Sequence, residues 1–222
     1  MSRGFFLAVE GIEGSGKTTQ VARLDQRVRA SAQNVVTTKE PGGTLLGDRI
    51  RAILLDPHEE GMDPLAELFL YAAARRQHVV ELIRPSLERG AVVLCDRFTD
   101  ATLAYQGFGR LLELDRLRQI NEMATDGLRP DLTIILDAPE SFGLERARAR
   151  NAAANLHHES RFEGEDLRFH RRVREGYLAL AEAEPERYAV VDASGSIEEV
   201  FARMIDALRA RAPQLRLTSE TP

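Results

Sequence analysis

The stretch Phe5–Gln20, "FFLAVEGIEGSGKTTQ", decides how the rest of the chain is read. Its first residues form an apolar run with the look of a buried strand. Residues 11–18, "GIEGSGKT", satisfy G-x-x-x-x-G-K-[ST] at every fixed position, and "TTQVARLDQRVRA" (18–30) continues with helical spacing. Strand, glycine loop and helix in that order are the context in which this motif cradles a polyphosphate. The glycines let the backbone curl so that successive N–H groups point inward, and the following helix adds its positive end. Lys17 reaches the β- and γ-phosphates, and the Thr18 hydroxyl is placed to ligate Mg²⁺. Gly11, Ile12, Glu13, Gly14, Ser15, Gly16, Lys17, Thr18 and Thr19 are therefore the candidate nucleoside triphosphate-binding residues. Composition sharpens the case, because the chain has 28 arginines and only two lysines, Lys17 and Lys39.

Four further apolar, β-branched runs follow: "NVVTTKE" (34–40), "AVVLCDRF" (91–98), "LTIILDA" (132–138) and "YAVVDAS" (188–194). Near-continuous runs of this kind suit strands buried on both faces of a parallel sheet. Helical patterns separate them at 47–56, 64–90, 113–127, 140–152, 165–185 and 196–213. Alternating strands and helices predict an α/β, three-layer P-loop NTPase fold with right-handed crossovers. The expected organisation is one domain over residues 1–213 with a frayed tail at 214–222. The polar segment 151–164, "NAAANLHHESRFEG", reads as either a plain surface loop or a mobile lid, and the adjacent His157 and His158 read as solvated.

At 222 residues the chain can bury a sizeable core. Its net charge of −5 argues against a general nucleic-acid binder. No apolar run approaches membrane-spanning length, and the start does not read as a signal peptide. The lone Cys95 fits a reducing cytoplasm. A GTP switch would need an N-K-x-D motif late in the chain, yet no lysine occurs after position 39. A small anionic acceptor suits the remaining signals better. Asp96 and Arg97 close the third strand, where open α/β sheets bind ligands; Asp96 suits a metal, held through water, and Arg97 a phosphate. Tyr71 and Arg75 are four residues apart on one helical face. In "ERARAR", Arg146 and Arg150 share a face while Arg148 points elsewhere, which gives either a solvated face or a lid carrying positive charge.

Taken together, "EGIEGSGKTTQ", "TTKEPGGTLLGDRIRAILLD", "ELFLYAAARRQHVVELIRPSLERG", "CDRFTDATLAYQGFGR", "RPDLTIILDAP" and "RARARNA…RFE" resemble thymidylate kinases, the nucleoside-monophosphate kinases that convert dTMP to dTDP with ATP and Mg²⁺. The resemblance spans about residues 6 to 193. It implies a five-stranded parallel sheet flanked by helices, with a mobile lid at about 143–164. It implies ATP and dTMP as substrates and a cytoplasmic homodimer packed through helices of the first half, with no nucleic-acid or membrane partner. Carried over by position, Tyr71 would stack on thymine, and Arg75 and Arg97 would hold the dTMP phosphate. Thr102 and Gln106 would contact the base, and Tyr105 would pack against the sugar and disfavour a ribose hydroxyl. Glu13 would face the dTMP side, Thr18 and Asp96 would hold the metal, and Arg146 would lie on adenine. Gly14 stands where some members carry an arginine, so the lid supplies that charge: Arg150 first, then Arg148 and Arg161, with Lys17, Arg97 and Arg150 as the catalytic set. Two alternatives remain open, a kinase for another nucleoside monophosphate and a nucleotide-binding regulator with little turnover.

Overall fold

The computed structural model describes residues 3–58, 61–154 and 161–217, and their side chains except those of residues 148–154 and 163. Five strands, β1 (Phe6–Glu10), β2 (Val35–Lys39), β3 (Val92–Asp96), β4 (Leu132–Asp137) and β5 (Tyr188–Asp192), pair in parallel in the order β2-β3-β1-β4-β5. Every residue of the central β1 is buried, as its unbroken apolar run predicts, while the edge strands β2 and β5 alternate with exposed positions.

Strand periodicity sorts β1 between two layers. Phe5, Leu7 and Val9 pack with Val21, Leu24 and Val28 of α1 (Lys17–Ala30) and with Met204 and Leu208 of α9 (Ile197–Arg211). Phe6 and Ala8 meet Val79, Ile83 and Leu87 on the opposite face. Around these lie α2 (Leu45–Leu55), capped by the Thr44 hydroxyl accepting from the Gly47 N–H, and α3 (Pro64–His78), capped by the Asp63 carboxylate. Helices α6 (Leu114–Thr125), α7 (Glu140–Ala154) and α8 (Leu167–Ala183) complete the flanks. This is the expected α/β P-loop fold.

Three local expectations are corrected. The helical pattern at 64–90 is not one α-helix: α3 passes through a π-helical turn, Val79–Ile83, into α4 (Arg84–Glu88). Pro85 has no N–H to donate into an α ladder and its ring crowds the preceding turn, so the backbone widens just ahead of it. Residues 99–109, left without an element in the sequence reading, are helical: α5 (Thr99–Thr102) runs into a second π segment, Leu103–Gly109. Thr99, Gly107 and Gly109 hide that helix because all three are weak helix formers. The expectation of fraying from residue 214 does not hold at its start, since Pro213–Leu215 make a 3-10 turn that buries Leu215 in the sheet core. Residues 218–222 lie outside the described residues, as do His157 and His158.

Candidate active site

The loops after β1 and β3 open into one cleft of about 570 Å³ at the carboxyl edge of the sheet, where doubly wound sheets bind ligands. Its floor is the glycine loop. Gly14 and Gly16 take φ of 68° and 93°, conformations that a Cβ disfavours. A Cβ on Gly14 would lie 1.8 Å from the Gly143 carbonyl oxygen, so the loop meets the first turn of α7 backbone to backbone. Lys17 Nζ donates to the Gly11 and Ile12 carbonyls at 3.0 and 2.7 Å and lies 3.4 Å from Ser15 Oγ, folded back on its own loop. Burial, then the nearby Arg97 charge, lowers its pKa to about 8.

At the mouth of the loop the Thr18 hydroxyl donates to Asp96 Oδ2 at 2.7 Å. Parallel pairing of β1 with β3, with Val9 opposite Asp96, brings this side-chain pair together. A hydroxyl and a carboxylate of this kind fit Mg²⁺, which takes one or two protein oxygens and completes its shell with water and phosphate. Among the described residues no group of three or more His, Cys, Asp or Glu could hold a metal.

Arg97 joins the loop to the second half of the cleft. Its backbone is left-handed, φ 70°, a strained conformation of the sort that clusters at functional sites. Its guanidinium donates to Glu13 Oε1 (3.0 Å), Tyr105 Oη (3.0 Å) and Tyr177 Oη (3.2 Å), and lies over the Tyr105 ring. Tyr105 in turn donates to Glu13 Oε1 at 2.7 Å, and Tyr177 to Glu10 Oε2 at 2.8 Å. Burial alone would raise the Glu13 carboxyl, but His170, the Arg97 and Lys17 charges and the Tyr105 hydroxyl hold it well below the carboxylate range. The other oxygen, Glu13 Oε2, has no hydrogen-bond partner among the described residues. His170 Nδ1 lies 3.5 Å from it without hydrogen-bond geometry. Glu10 is shifted the other way, raised to about 7 by burial and then by Asp100.

Tyr71, Arg75, Thr102, Tyr105 and Gln106 all line the same cleft, and Arg146 lines its far end beside Ser196, Ile197 and Val200. Arg75 does not present a free fork. Only 1% exposed, it donates to Glu40 Oε2 (2.7 Å), Thr102 Oγ1 (3.0 Å), Asn121 Oδ1 (2.6 Å) and the Phe98 carbonyl (3.0 Å). Four of its five N–H groups are thereby engaged by protein. It braces the pocket wall through these bonds while still lining the cleft. Arg161 also differs from its expected place. It donates to the Leu54 carbonyl (2.7 Å) and to Glu67, and it is not among the cleft-lining residues. The side chains of Arg148 and Arg150 lie outside the described residues.

A family model described as thymidylate kinase matches residues 9–204. The chain belongs to the thymidylate kinase family. It is 53% identical over 211 residues to a thymidylate kinase of Geobacter sulfurreducens, covering 95% of this chain and 99% of that one. It is 55% identical over 200 residues to one from Syntrophotalea carbinolica, covering 90% and 93%. The crystal structure of thymidylate kinase from Ehrlichia chaffeensis superposes with a TM-score of 0.74 at 34% identity, covering 93% of this chain and 99% of that one.

Within this thymidylate kinase the sequence reading missed several cleft residues. Phe162 lines the cleft and packs edge-on to Tyr105, with ring centroids 5.5 Å apart. Arg51, Glu40 and Pro41 also line it. Glu67, His170, Asn121 and Tyr177 touch site residues from behind, and no local pattern marks them because each contact spans dozens of residues. "EPGGT" was a usable signal for Glu40 and Pro41, whose peptide is cis.

Proposed function

We propose that this thymidylate kinase transfers the γ-phosphoryl group of ATP to a phosphate oxygen of dTMP, giving dTDP and ADP. The P–O bond to the β-phosphate breaks, a bond to the acceptor oxygen forms, and the leaving charge remains on ADP. The dTMP phosphate is ionised at neutral pH, so no general base is required. The observation that carries this reading is the Arg97 cluster, where one guanidinium ties Glu13 of the phosphate loop to Tyr105 of the acceptor side in a single cleft.

Residues 11–19 cradle the ATP phosphates, and Lys17 turns from its own carbonyls to the β- and γ-oxygens. Arg146 lies over adenine at the α9 end of the cleft. Thr18 and Asp96 hold Mg²⁺, which when bound neutralises phosphate charge. Tyr71 stacks on thymine; Arg75 orients Thr102 against the base instead of gripping the phosphate. Arg97 holds the acceptor phosphate, and Tyr105 covers the sugar. Residues 143–164 act as a lid on the single domain of residues 1–213, and Arg150 is the lid cation at the transferring group. Catalysis is then alignment plus charge neutralisation.

The protein works as a cytoplasmic homodimer. Support comes from large apolar side chains left exposed on helices of the first half, Leu45, Leu46, Ile53, Phe69 and Val80. Among the described residues no helix is long and apolar enough to cross a membrane. The deciding experiment is ADP release with dTMP, dUMP, UMP, AMP and GMP as acceptors. Fastest turnover with dTMP is the expected result. Preference for another acceptor would favour a different monophosphate kinase, and no turnover with any would favour a regulator.

A further inference from the structure

Behind the pyrimidine end of the cleft sits an acid that the proposed mechanism does not use. Glu67, on α3, is 1% exposed. Its Oε1 accepts from Gln106 Nε2 at 2.6 Å. Its Oε2 accepts from Arg161 and lies 3.5 Å from Arg110 Nη2. Gln106 is itself 1% exposed and still lines the cleft, one residue after Tyr105 on the second π segment.

A side-chain amide is a donor on one arm and an acceptor on the other, and its neighbours decide which arm points where. Here the neighbour leaves little choice. A carboxylate paired with two guanidinium groups offers only lone pairs, so the Gln106 NH₂ must face it. Turning the amide over would set Oε1 against Glu67 Oε1, two buried acceptors in contact with no proton between them. With Nε2 committed to Glu67, Oε1 is the arm left for the cleft that Gln106 lines.

We propose that Glu67 is a positioning residue that sets base specificity: by locking the Gln106 amide with Oε1 forward, it makes the pocket accept a pyrimidine carrying N3–H and reject one whose N3 is an acceptor. This rests on the dTMP reading of the site and deepens it. Thymine and uracil carry a proton on N3, whereas cytosine presents a lone pair there. A buried acceptor facing that lone pair loses a hydrogen bond and gains a repulsion. The 5-methyl group plays no part in this choice, so Glu67 should govern thymine against cytosine and leave thymine against uracil untouched.

The test is Glu67→Gln, assayed with dTMP, dUMP and dCMP beside the wild-type protein. A glutamine at 67 can offer either arm to Gln106, so both orientations of Gln106 become available. Relative to wild type, kcat/KM for dCMP against dTMP should rise at least about tenfold, with the dTMP-to-dUMP ratio unchanged. An unchanged dCMP ratio in a folded variant overturns the proposal. So does a parallel collapse of both ratios, which would mean the pocket had merely loosened. Should Glu67→Gln not fold, Glu67→Asp keeps a charge for Arg161 and Arg110 but withdraws it from Gln106, and the same two ratios decide. If the wild-type protein does not use dTMP at all, it is the functional reading that fails, and that arm is read separately.

Discussion

Arg97 is one strand position past Asp96, and its left-handed backbone turns the guanidinium back across the cleft onto Glu13 and Tyr105. Burial would ease its proton off, yet Tyr105, Tyr177 and the Glu13 and Glu10 charges hold its pKa well above the ordinary arginine value, so it is a permanent cation. Replacing Arg97 with alanine should lower kcat by about 10³ or more, the scale on which an arginine at a transferring phosphoryl group acts. Steady-state ADP release at saturating ATP and dTMP measures this, and near wild-type turnover would remove Arg97 from the chemistry. Tyr105 makes a separable prediction. Tyr105→Ala opens the space against the sugar, so kcat/KM for UMP should rise relative to dTMP even though both fall. Tyr105→Phe keeps the ring and should keep the preference. Equal ratios in all three proteins would dismiss the steric argument.

Between the phosphate loop and α7 the contact is made by two glycines. Gly14 meets Gly143, and a Cβ on Gly143 would sit 2.4 Å from the Glu13 carbonyl and 3.0 Å from the Ile12 side chain. This explains why position 14 carries no arginine here: α7 occupies the space that a side chain would need. Glycine is poorly suited to a helix interior, so its presence in the first turn of α7 marks close packing. Gly143→Ala must push α7 away from the phosphate loop or distort the loop itself. Displacements near 1 Å in a positioned site can cost about 10² in rate, and a loss of that order in kcat/KM for ATP is the expected result. If ATP kinetics and thermal midpoint both match wild type, the two backbones have room that this geometry denies. The same pair shows where sequence reasoning stopped. The loop motif, the Asp96–Arg97 strand end and the Tyr71 face were legible because each is written within a few consecutive residues. Gly143 was one glycine in an arginine-rich helix, and its partner lies 129 positions away. The π segments were equally hidden, since their cause is a proline or a tertiary contact and not an amphipathic period.

Across the sheet, charge buried at one end of β1 links stability to the site. The five strands, their parallel pairing and the flanking helical layers followed from five apolar runs, but nothing in "FFLAVE" announced that Glu10 would be fully enclosed. Its place in the centre of the sheet forces it under α8, where Phe98 N–H (2.6 Å) and Tyr177 Oη (2.8 Å) donate to its carboxylate. Those donors, helped by Arg97, recover only part of what burial and Asp100 oppose, and the pKa remains raised from 4.5 to about 7. Above pH 7 the group is ionised in both folded and unfolded chains, so the folded state carries the full penalty, about 3 kcal/mol. Between pH 7 and 4.5 the folded chain takes up the proton first, and the penalty fades as pH falls. Glu10→Gln removes the ionisation while keeping two polar arms, because the Tyr177 hydroxyl can turn from donor to acceptor. The variant should therefore gain stability relative to wild type at pH 8.5 and lose that advantage at pH 5. Urea unfolding of both proteins at the two pH values reads the difference directly, and titrating groups not coupled to Glu10 cancel in the comparison. An advantage that grows on acidification would reverse the sign and show Glu10 to be stabilised as a carboxylate by Arg97 and Tyr177, making the inner end of the cleft a matched charge pair rather than a strained one.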